Sequence, residues 1–421
     1  MRHIVVIGGG FAGLNFVKNL RKEKKVRITL VDRENYNFFP PLLYQLATGY
    51  LETSNICYPY RKQLQGWKNV TYHMGEVLRI EPKNKTVVLS TGKLEYDCLV
   101  LATGVETNYF GMENIKANAL PMKTVNDALA LKNHLFRQME SVSIRLGEGD
   151  CPKQLNVVVA GAGPTGVEIS GMLSDMKRFV LPKDYPELAR QKVSLEVYLV
   201  DGGDSVLKPM SEKTHKSSYL ALERLGVKIV LGTTVKDYQN GKVVFGDGSE
   251  IETNTLIWAA GVSGAMIEGI PAECYGRGKR LIADAFHKVE GFPNLFAIGD
   301  TSIQAHDPSY PNGHPQVAQV ALQQGMNLAK NLSVIFNGRG LLNVFAYKDK
   351  GSMAIIGRNK AVVDLPKGMH FSGFFAWAMW LFVHLVSLQR TRNKITTLYN
   401  WVVAYVTKDQ SLRMIIGNPK R

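Results

Sequence analysis

Two glycine runs, each followed by an acid, and one stretch crowded with amides hold the residue types in this chain that could do chemistry. The first run lies in HIVVIGGGFAGLNF, residues 3–16. An apolar strand, His3 to Ile7, leads into Gly8-x-Gly10-x-x-Gly13, and a helix opens at Phe11 and runs to about Leu20. Gly8 permits the tight turn, Gly10 lets the backbone approach a pyrophosphate, and Gly13 lets helix and strand pack closely. The helix N-terminus adds amide donors and a positive dipole end. A second strand, VRITLVD, ends at Asp32, nineteen residues past Gly13. That carboxylate is placed to bond a ribose 2′-hydroxyl.

The pattern recurs in LNVVVAGAGPTGVEISGML. Strand Leu155–Ala160 leads into Gly161-x-Gly163-x-x-Gly166, then a helix, then LEVYLVD ending at Asp201. Asp201 comes thirty-five residues past Gly166, later than usual, and the excess falls on FVLPKDYPELARQK, read as a helix extension and loop. An acid here disfavours a 2′-phosphate, and Gly202 and Gly203 bring no arginine, so NADH is expected rather than NADPH.

The elements that must position these residues are buried parallel strands alternating with helices. Three further strands end in small-residue turns: YDCLVLATG (96–104), TLIWAAG (255–261) and NLFAIGD, ending at Asp300. In this order the elements resemble the two-dinucleotide-binding flavoproteins. The resemblance implies an α/β fold with two Rossmann-like domains. An NAD domain, 117–261, is inserted in a split FAD domain, 1–116 and 262–345, and 346–421 forms a separate C-terminal segment. It assigns FAD to Gly8, Gly10, Phe11, Ala12, Gly13, Asp32, Arg33, Val77, Ala102, Thr103, Gly104 and Ala318, with Asp300 meeting the ribityl chain. It assigns NADH to Gly161, Gly163, Thr165, Gly166, Glu168, Asp201, Ala260 and Gly261.

The amide-rich stretch is HPQVAQVALQQG, residues 314–325. Pro315 suits the first position of a helix, where its missing N–H costs nothing. At 100° per residue Gln316, Gln319 and Gln323 share one stripe, with small Ala318 and Val320 beside it. Neutral amides there would either face solvent or bond the carbonyls of an uncharged acceptor, and a charge in such a site would cost far more to desolvate.

Ala318-Gln319-Val320-Ala321-Leu322-Gln323-Gln324-Gly325 resembles the AQxAxQ(Q/E)G motif of the type II NADH dehydrogenases, single-subunit NADH:quinone oxidoreductases. NYNFFPPLLYQLATGYL (35–51), GAGPTGVEISGML and YKDKGSMAIIGRNKAVVDL (347–365) are similar to further segments of that family. The resemblance implies FAD, NADH, a membrane quinone as acceptor and no proton pumping. It places Pro41, Tyr44, Gln45, Gln319 and Gln323 at the quinone and makes Glu168, Gln319 and Gln323 the catalytic set. Quinone reduction takes two protons, so an acid or water chain must deliver them. Glu168 is the candidate; otherwise it is a first-turn acid stabilised by the helix dipole. Many members carry a lysine after the C-terminal Ala-Trp, but Ala376-Trp377-Ala378-Met379-Trp380 has none. His384 is a substitute donor, or a packed histidine.

Composition limits the alternatives. The chain has 421 residues, 45% hydrophobic and 21% charged, enough for two or three domains. Cys57, Cys98, Cys151 and Cys274 include no close pair, which weakens disulfide-based and sulfide-oxidising chemistry at a flavin, suits a reducing compartment and leaves no metal site expected. No signal peptide is expected. The net charge of +15 favours nucleic acid, an anionic membrane or anionic substrates. Its placement argues against nucleic acid: from Gln389 onward seven basic residues (Arg390, Arg392, Lys394, Lys408, Arg413, Lys420, Arg421) face one acid, Asp409, beside aromatic-rich apolar stretches. Met369–Leu388 is twenty residues without a charged side chain, long enough to span a bilayer. It would span, lie in the membrane surface or pack at a dimer interface. The resemblance implies peripheral, monotopic attachment to an anionic surface, the cytoplasmic face of the inner membrane, as a homodimer. The competing functions are a flavin reductase serving ferredoxin or oxygen, and an NADH-sensing flavoprotein with little turnover.

Overall fold

Alternate residues of the first strand, Arg2–Ile7, enter opposite cores. Ile4 and Val6 pack with Phe16, Val17, Leu328 and Leu332, while Val5 and Ile7 pack with Leu99, Leu101, Leu295 and Ala297. A sheet buried on both faces needs apolar residues at successive positions, which is why the run does not alternate. The computed structural model describes residues 1–149, 154–409 and 411–417; Cys151, Lys420 and Arg421 lie outside the described residues.

The chain divides into two compact units. The first comprises Met1–Phe38, Tyr58–Glu106 and Val262–Asp349. Its parallel sheet has the order Leu295–Ala297, Cys98–Leu101, Arg2–Ile7, Val26–Asp32, Val70–Met74. The Phe11–Leu20 helix crosses the long helix Ala318–Asn337 so closely that a Cβ on Gly325 would stand 2.4 Å from the Ala12 carbonyl oxygen.

The second unit comprises Phe39–Cys57, Thr107–Gly261 and Lys350–Arg421. Its parallel sheet repeats the plan: Leu120–Pro121, Leu256–Trp258, Gln154–Ala160, Ser194–Asp201, Lys228–Leu231. A three-stranded antiparallel sheet, Ser352–Gly357, Lys360–Leu365 and Met369–Gly373, packs its edge on the helix Pro164–Asp175. Gly171 makes this approach possible, since a Cβ there would lie 1.7 Å from the Ile356 carbonyl oxygen. Residues 39–57 join this unit because the Asn393 amide donates to the carbonyls of Asn55 and Cys57 at 2.8 and 3.0 Å.

Two expectations are corrected. Met369–Leu388 is not one helix: Met369–Gly373 pairs as a strand, Gly373 turns at φ +78°, and the helix covers only Phe374–Ser387. Among the described residues no helix is long and apolar enough to cross a membrane, which overturns the spanning arrangement. The amide-rich helix starts at Ala318, not Pro315. Val317 is extended, its N–H bonded to the Pro315 carbonyl at 3.0 Å, so Pro315 and Gln316 belong to the preceding turn.

Candidate functional site

The first glycine loop has the shape its spacing demands. Gly8 sits at φ +97°, and a Cβ there would stand 2.3 Å from the Ala102 carbonyl oxygen; one on Gly13 would lie 2.0 Å from that of Gly8. A Cβ on Gly10 would meet nothing within 4 Å. Two glycines thus close the turn and the third leaves open space above a ten-residue helix, a fit to the pyrophosphate of a dinucleotide. Asp32 is anchored at both oxygens: Oδ2 accepts from the Gly9 N–H at 2.6 Å and the Tyr60 hydroxyl at 3.1 Å, and Oδ1 from the Glu34 N–H at 2.9 Å. Arg33 is exposed beside it, and Ala102 is buried below an exposed Thr103. Thr103 donates to Thr301 at 3.1 Å, which ties Thr103 to the Gly299-Asp300 turn. Phe11, Val77, Gly104 and Ala318 are partly exposed, and Ala12 is buried.

Tyr60 and Gly9 escaped sequence reasoning. The tyrosine ring occupies the place a Gly9 Cβ would take, 2.3 Å from the hydroxyl, and no local motif announces a partner fifty residues away. Arg280 also escaped notice. It is buried, faces Asp300 and donates to the His314 carbonyl at 3.2 Å; burial pushes its pKa down, against the opposing pull of Asp300.

The second loop reproduces the first. Gly161 turns at φ +103° with its missing Cβ 2.5 Å from the Ala259 carbonyl oxygen, Gly166 abuts Gly161, and Gly163 is open. Asp201 Oδ2 accepts from the Ala162 N–H at 2.6 Å and Oδ1 from the Gly203 N–H at 2.7 Å. Thr165 and Ala260 are exposed near the loop, and Gly261 is covered by the Phe110 ring, 2.8 Å from where a Cβ would stand.

Glu168 lies in the second turn of its helix rather than the first and is buried, so the dipole reading does not account for it. Burial holds its carboxyl well above the usual carboxylate range, opposed by a hydrogen bond from the Ile355 N–H. Two turns on, burial raises Asp175 to about 6, against an Arg358 N–H bond at 3.1 Å and the charges of Arg358, Lys360 and Arg178. Tyr44 and Gln45 are both buried near Glu168, whose charge adds to the burial that raises the Tyr44 phenol. Gln45 donates to the Tyr44 hydroxyl at 2.9 Å and accepts from Trp401 Nε1 at 2.7 Å. Pro41 starts the same segment in a short turn, Pro40–Leu42. His384 stacks on Trp380 at 3.8 Å and bonds its carbonyl through Nδ1 at 2.8 Å. Burial lowers the imidazole to about 4, against the Trp380 carbonyl bond, so this histidine is packed and neutral.

The amide stripe proves longer than the motif. Gln319, Gln323, Asn327 and Asn331 follow at four-residue spacing on Ala318–Asn337. Gln323 grips Lys348 with two bonds, Nε2 to the carbonyl at 2.9 Å and Oε1 from the N–H at 3.0 Å. Asn331 grips Asn343 in the same manner, at 2.9 and 2.8 Å. The expected quinone ligand Gln323 is therefore engaged in holding the extended strap 341–349. Partly exposed Gln319 lies at the N-terminal end of the stripe. Gln324, passed over in the sequence, is buried and accepts from the Gly299 N–H at 2.6 Å. Gln316, off the helix, donates to the Asp300 carbonyl at 3.2 Å.

Comparison with known proteins agrees with this geometry. Residues 2–325 match the family profile of the pyridine nucleotide-disulphide oxidoreductases, and residues 350–410 match that of the NDH2 C-terminal domain. The chain is 35% identical over 419 residues to the type II NADH:quinone oxidoreductase NdhA of Mycobacterium tuberculosis, covering 96% of this chain and 87% of that one. It is 30% identical over 371 residues to the type II NADH:quinone oxidoreductase of Staphylococcus aureus, covering 86% and 89%. The fold matches NDH2 of Plasmodium falciparum in complex with NADH, with a TM-score of 0.85 at 21% identity over 99% of this chain and 100% of that one. With its two glycine loops, anchored acids and C-terminal sheet, the chain belongs to the FAD-dependent type II NADH:quinone oxidoreductases.

Proposed function

We propose that this chain oxidises NADH and reduces a membrane quinone through its two glycine loops, Glu168 and Gln319. The observation that carries the reading is the pair of glycine loops, each with an open central glycine and an acid tethered by two backbone amides. Bound FAD would supply the two-electron carrier between NADH and the quinone. Gly8, Gly10, Gly13 and Asp32 would hold its pyrophosphate and ribose, and Asp300 its ribityl chain. Gly161, Gly163, Gly166 and Asp201 hold NADH, the tethered carboxylate favouring a ribose hydroxyl over a phosphate. Glu168 supplies a proton to the quinone as a buried, neutral acid. On the family resemblance Gln319 and Tyr44 each offer a neutral hydrogen-bonding group to a quinone carbonyl, while Gln323 holds the strap and Gln45 bonds Tyr44 and Trp401.

The C-terminal helices are proposed to lie on an anionic membrane. Phe382, Tyr399 and Val406 are 67%, 68% and 73% exposed, and Phe374, Phe375, Ile395 and Val402 add to the apolar surface. Arg390 caps the second helix, Thr391–Thr407, and Arg392 and Lys394 stand in its first turn, where basic side chains meet headgroups. Attachment to the cytoplasmic face as a homodimer rests on the family resemblance.

Stopped-flow absorbance of the FAD-loaded protein tests the reaction. NADH alone bleaches the flavin, and a soluble quinone analogue then restores it within the turnover time. Bleaching without restoration would point to another acceptor or to a sensing role. Flotation with anionic vesicles tests the surface: binding should fall when Phe382 and Val406 become glutamate.

A further inference from the structure

Four side chains of the first unit form a single hydrogen-bonded file that begins at the Gly299-Asp300 turn. Gln324 Oε1 accepts from the Gly299 N–H at 2.6 Å, and Gln324 Nε2 donates to Gln304 Oε1 at 2.9 Å. Gln304 Nε2 meets His287 Nδ1 at 3.1 Å and also donates to the Asp284 carbonyl at 2.6 Å. His287 Nε2 meets Asn327 Oδ1 at 2.9 Å, and Asn327 Nδ2 donates to the Asn343 carbonyl at 3.2 Å on the strap. The ends set the polarity. A backbone N–H can only donate and a carbonyl can only accept, so each amide has one orientation and His287 must carry its proton on Nε2. Every link then donates in the same sense, the arrangement in which hydrogen bonds reinforce one another.

Gln324 and Gln304 are each 1% exposed and His287 is fully buried. Filling this space with apolar side chains would avoid three desolvation costs, so the polar choice calls for a reason. The turn supplies one. Gly299 stands at φ +75°, with a missing Cβ only 2.9 Å from the Ala12 Cβ, so its peptide has little freedom once the Gln324 bond is made. We propose that the file Gln324–Gln304–His287–Asn327 is a positioning device that fixes the Gly299-Asp300 turn and thereby aims Asp300. His287 is the positioning residue that transmits the constraint from the Asn327 end. This rests on the reading that Asp300 holds the ribityl chain. Consistent with the required tautomer, burial lowers the His287 imidazole to about 3, opposed by the Asn327 bond and assisted by His306 and His314.

The test compares His287→Leu, His287→Gln and Asp300→Asn in the FAD-loaded protein, by FAD retention and flavin midpoint potential. Leucine has the volume but neither an acceptor nor a donor. Glutamine has both in series. Asp300→Asn should weaken FAD retention. His287→Leu should weaken it about tenfold, as Gln304 Nε2 keeps only the Asp284 carbonyl and Asn327 Oδ1 only the Asn331 amide, so the file is cut in the middle, and shift the potential. His287→Gln should recover both. If Asp300→Asn weakens retention but His287→Leu changes neither readout, the file has no hold on the turn. If Asp300→Asn itself changes nothing, the Asp300 reading fails and takes the proposal with it. Should His287→Leu not fold, 15N-histidine NMR of the unaltered protein decides: His287 should be neutral with its proton on Nε2, and a proton on Nδ1 overturns the proposal.

Discussion

Glu168→Gln separates the chemistry of Glu168 from its structural cost. The side chain is buried, its carboxyl is held well above the ordinary range by burial, and it accepts from the Ile355 N–H. Glutamine has nearly the same shape and keeps an acceptor for Ile355, but it has no proton to give. A positioned general acid contributes on the order of 10²–10⁴ in rate, so quinone-driven restoration of the flavin spectrum should slow at least about a hundredfold. Bleaching by NADH should be unchanged. The pH dependence gives a second, independent readout. An acid whose native pKa is raised stays protonated in the folded protein while the unfolded chain ionises, so native stability falls as pH rises above 4.5. Each pH unit in that window removes about 1.4 kcal/mol. Glu168→Gln has no such loss, so it should match the wild type near pH 4.5 and gain on it progressively as pH rises toward 7. Denaturant unfolding at the two pH values, with equal excess FAD, measures the difference. A variant that restores the flavin at the wild-type rate and shows no stability gain with rising pH would refute both the proton role and the buried neutral acid.

The other expectations are more local. Gln319→Ala should impair quinone reduction with bleaching intact, whereas Gln323→Ala should release the strap, seen as trypsin cleavage after Lys348 accelerated several-fold; equal nicking of the two variants would separate Gln323 from the strap. Asp364 links the C-terminal sheet to the helix Glu212–Arg224 through Ser211, Thr214 and His370. Burial pushes its carboxyl up, but bonds from the Ser211 N–H, His370 and the Thr214 and Ser211 hydroxyls outweigh this and hold it below its ordinary value. Its contribution is therefore present above about pH 4 and lost as pH falls further, so Asp364→Asn should lower the melting temperature at pH 7 and do so by less as pH falls below 4. Gly171→Ala sets a Cβ 1.7 Å from the Ile356 carbonyl oxygen, an overlap of backbone that side-chain motion cannot relieve; it should cost at least about 3 kcal/mol or prevent docking of Ser352–Gly357, read by the melting temperature.

Glycine spacing and strand apolarity were legible because their causes are local. Gly8 turns the chain at positive φ and Gly13 abuts the Gly8 carbonyl, constraints within the same turn, and Asp32 lies at the end of a strand whose register follows from its apolar run. The family motif likewise placed the amide helix and Glu168. What local pattern could not carry was the use of each polar group. Gln323 and Gln45 look available in sequence, yet Gln323 is bonded at both ends to Lys348 and Gln45 accepts from Trp401, far along the chain. Twenty uncharged residues at 369–388 read as one span, yet pairing with Lys360–Leu365 draws the first five into a strand.

By itself the sequence determined the two nucleotide loops, their acids, the alternation of strands and helices and the family, since these depend on short-range geometry and on residue types that few alternatives satisfy. Only the tertiary structure decided that Gln323 and Gln45 are bonded within the frame, that Tyr60 backs Asp32, that Glu168 is buried with its carboxyl raised, and that Gln324, Gln304, His287 and Asn327 stand in one file. The reason is physical: a hydrogen-bond partner or a dielectric environment belongs to the space around a side chain, and that space is filled by residues the local sequence does not name.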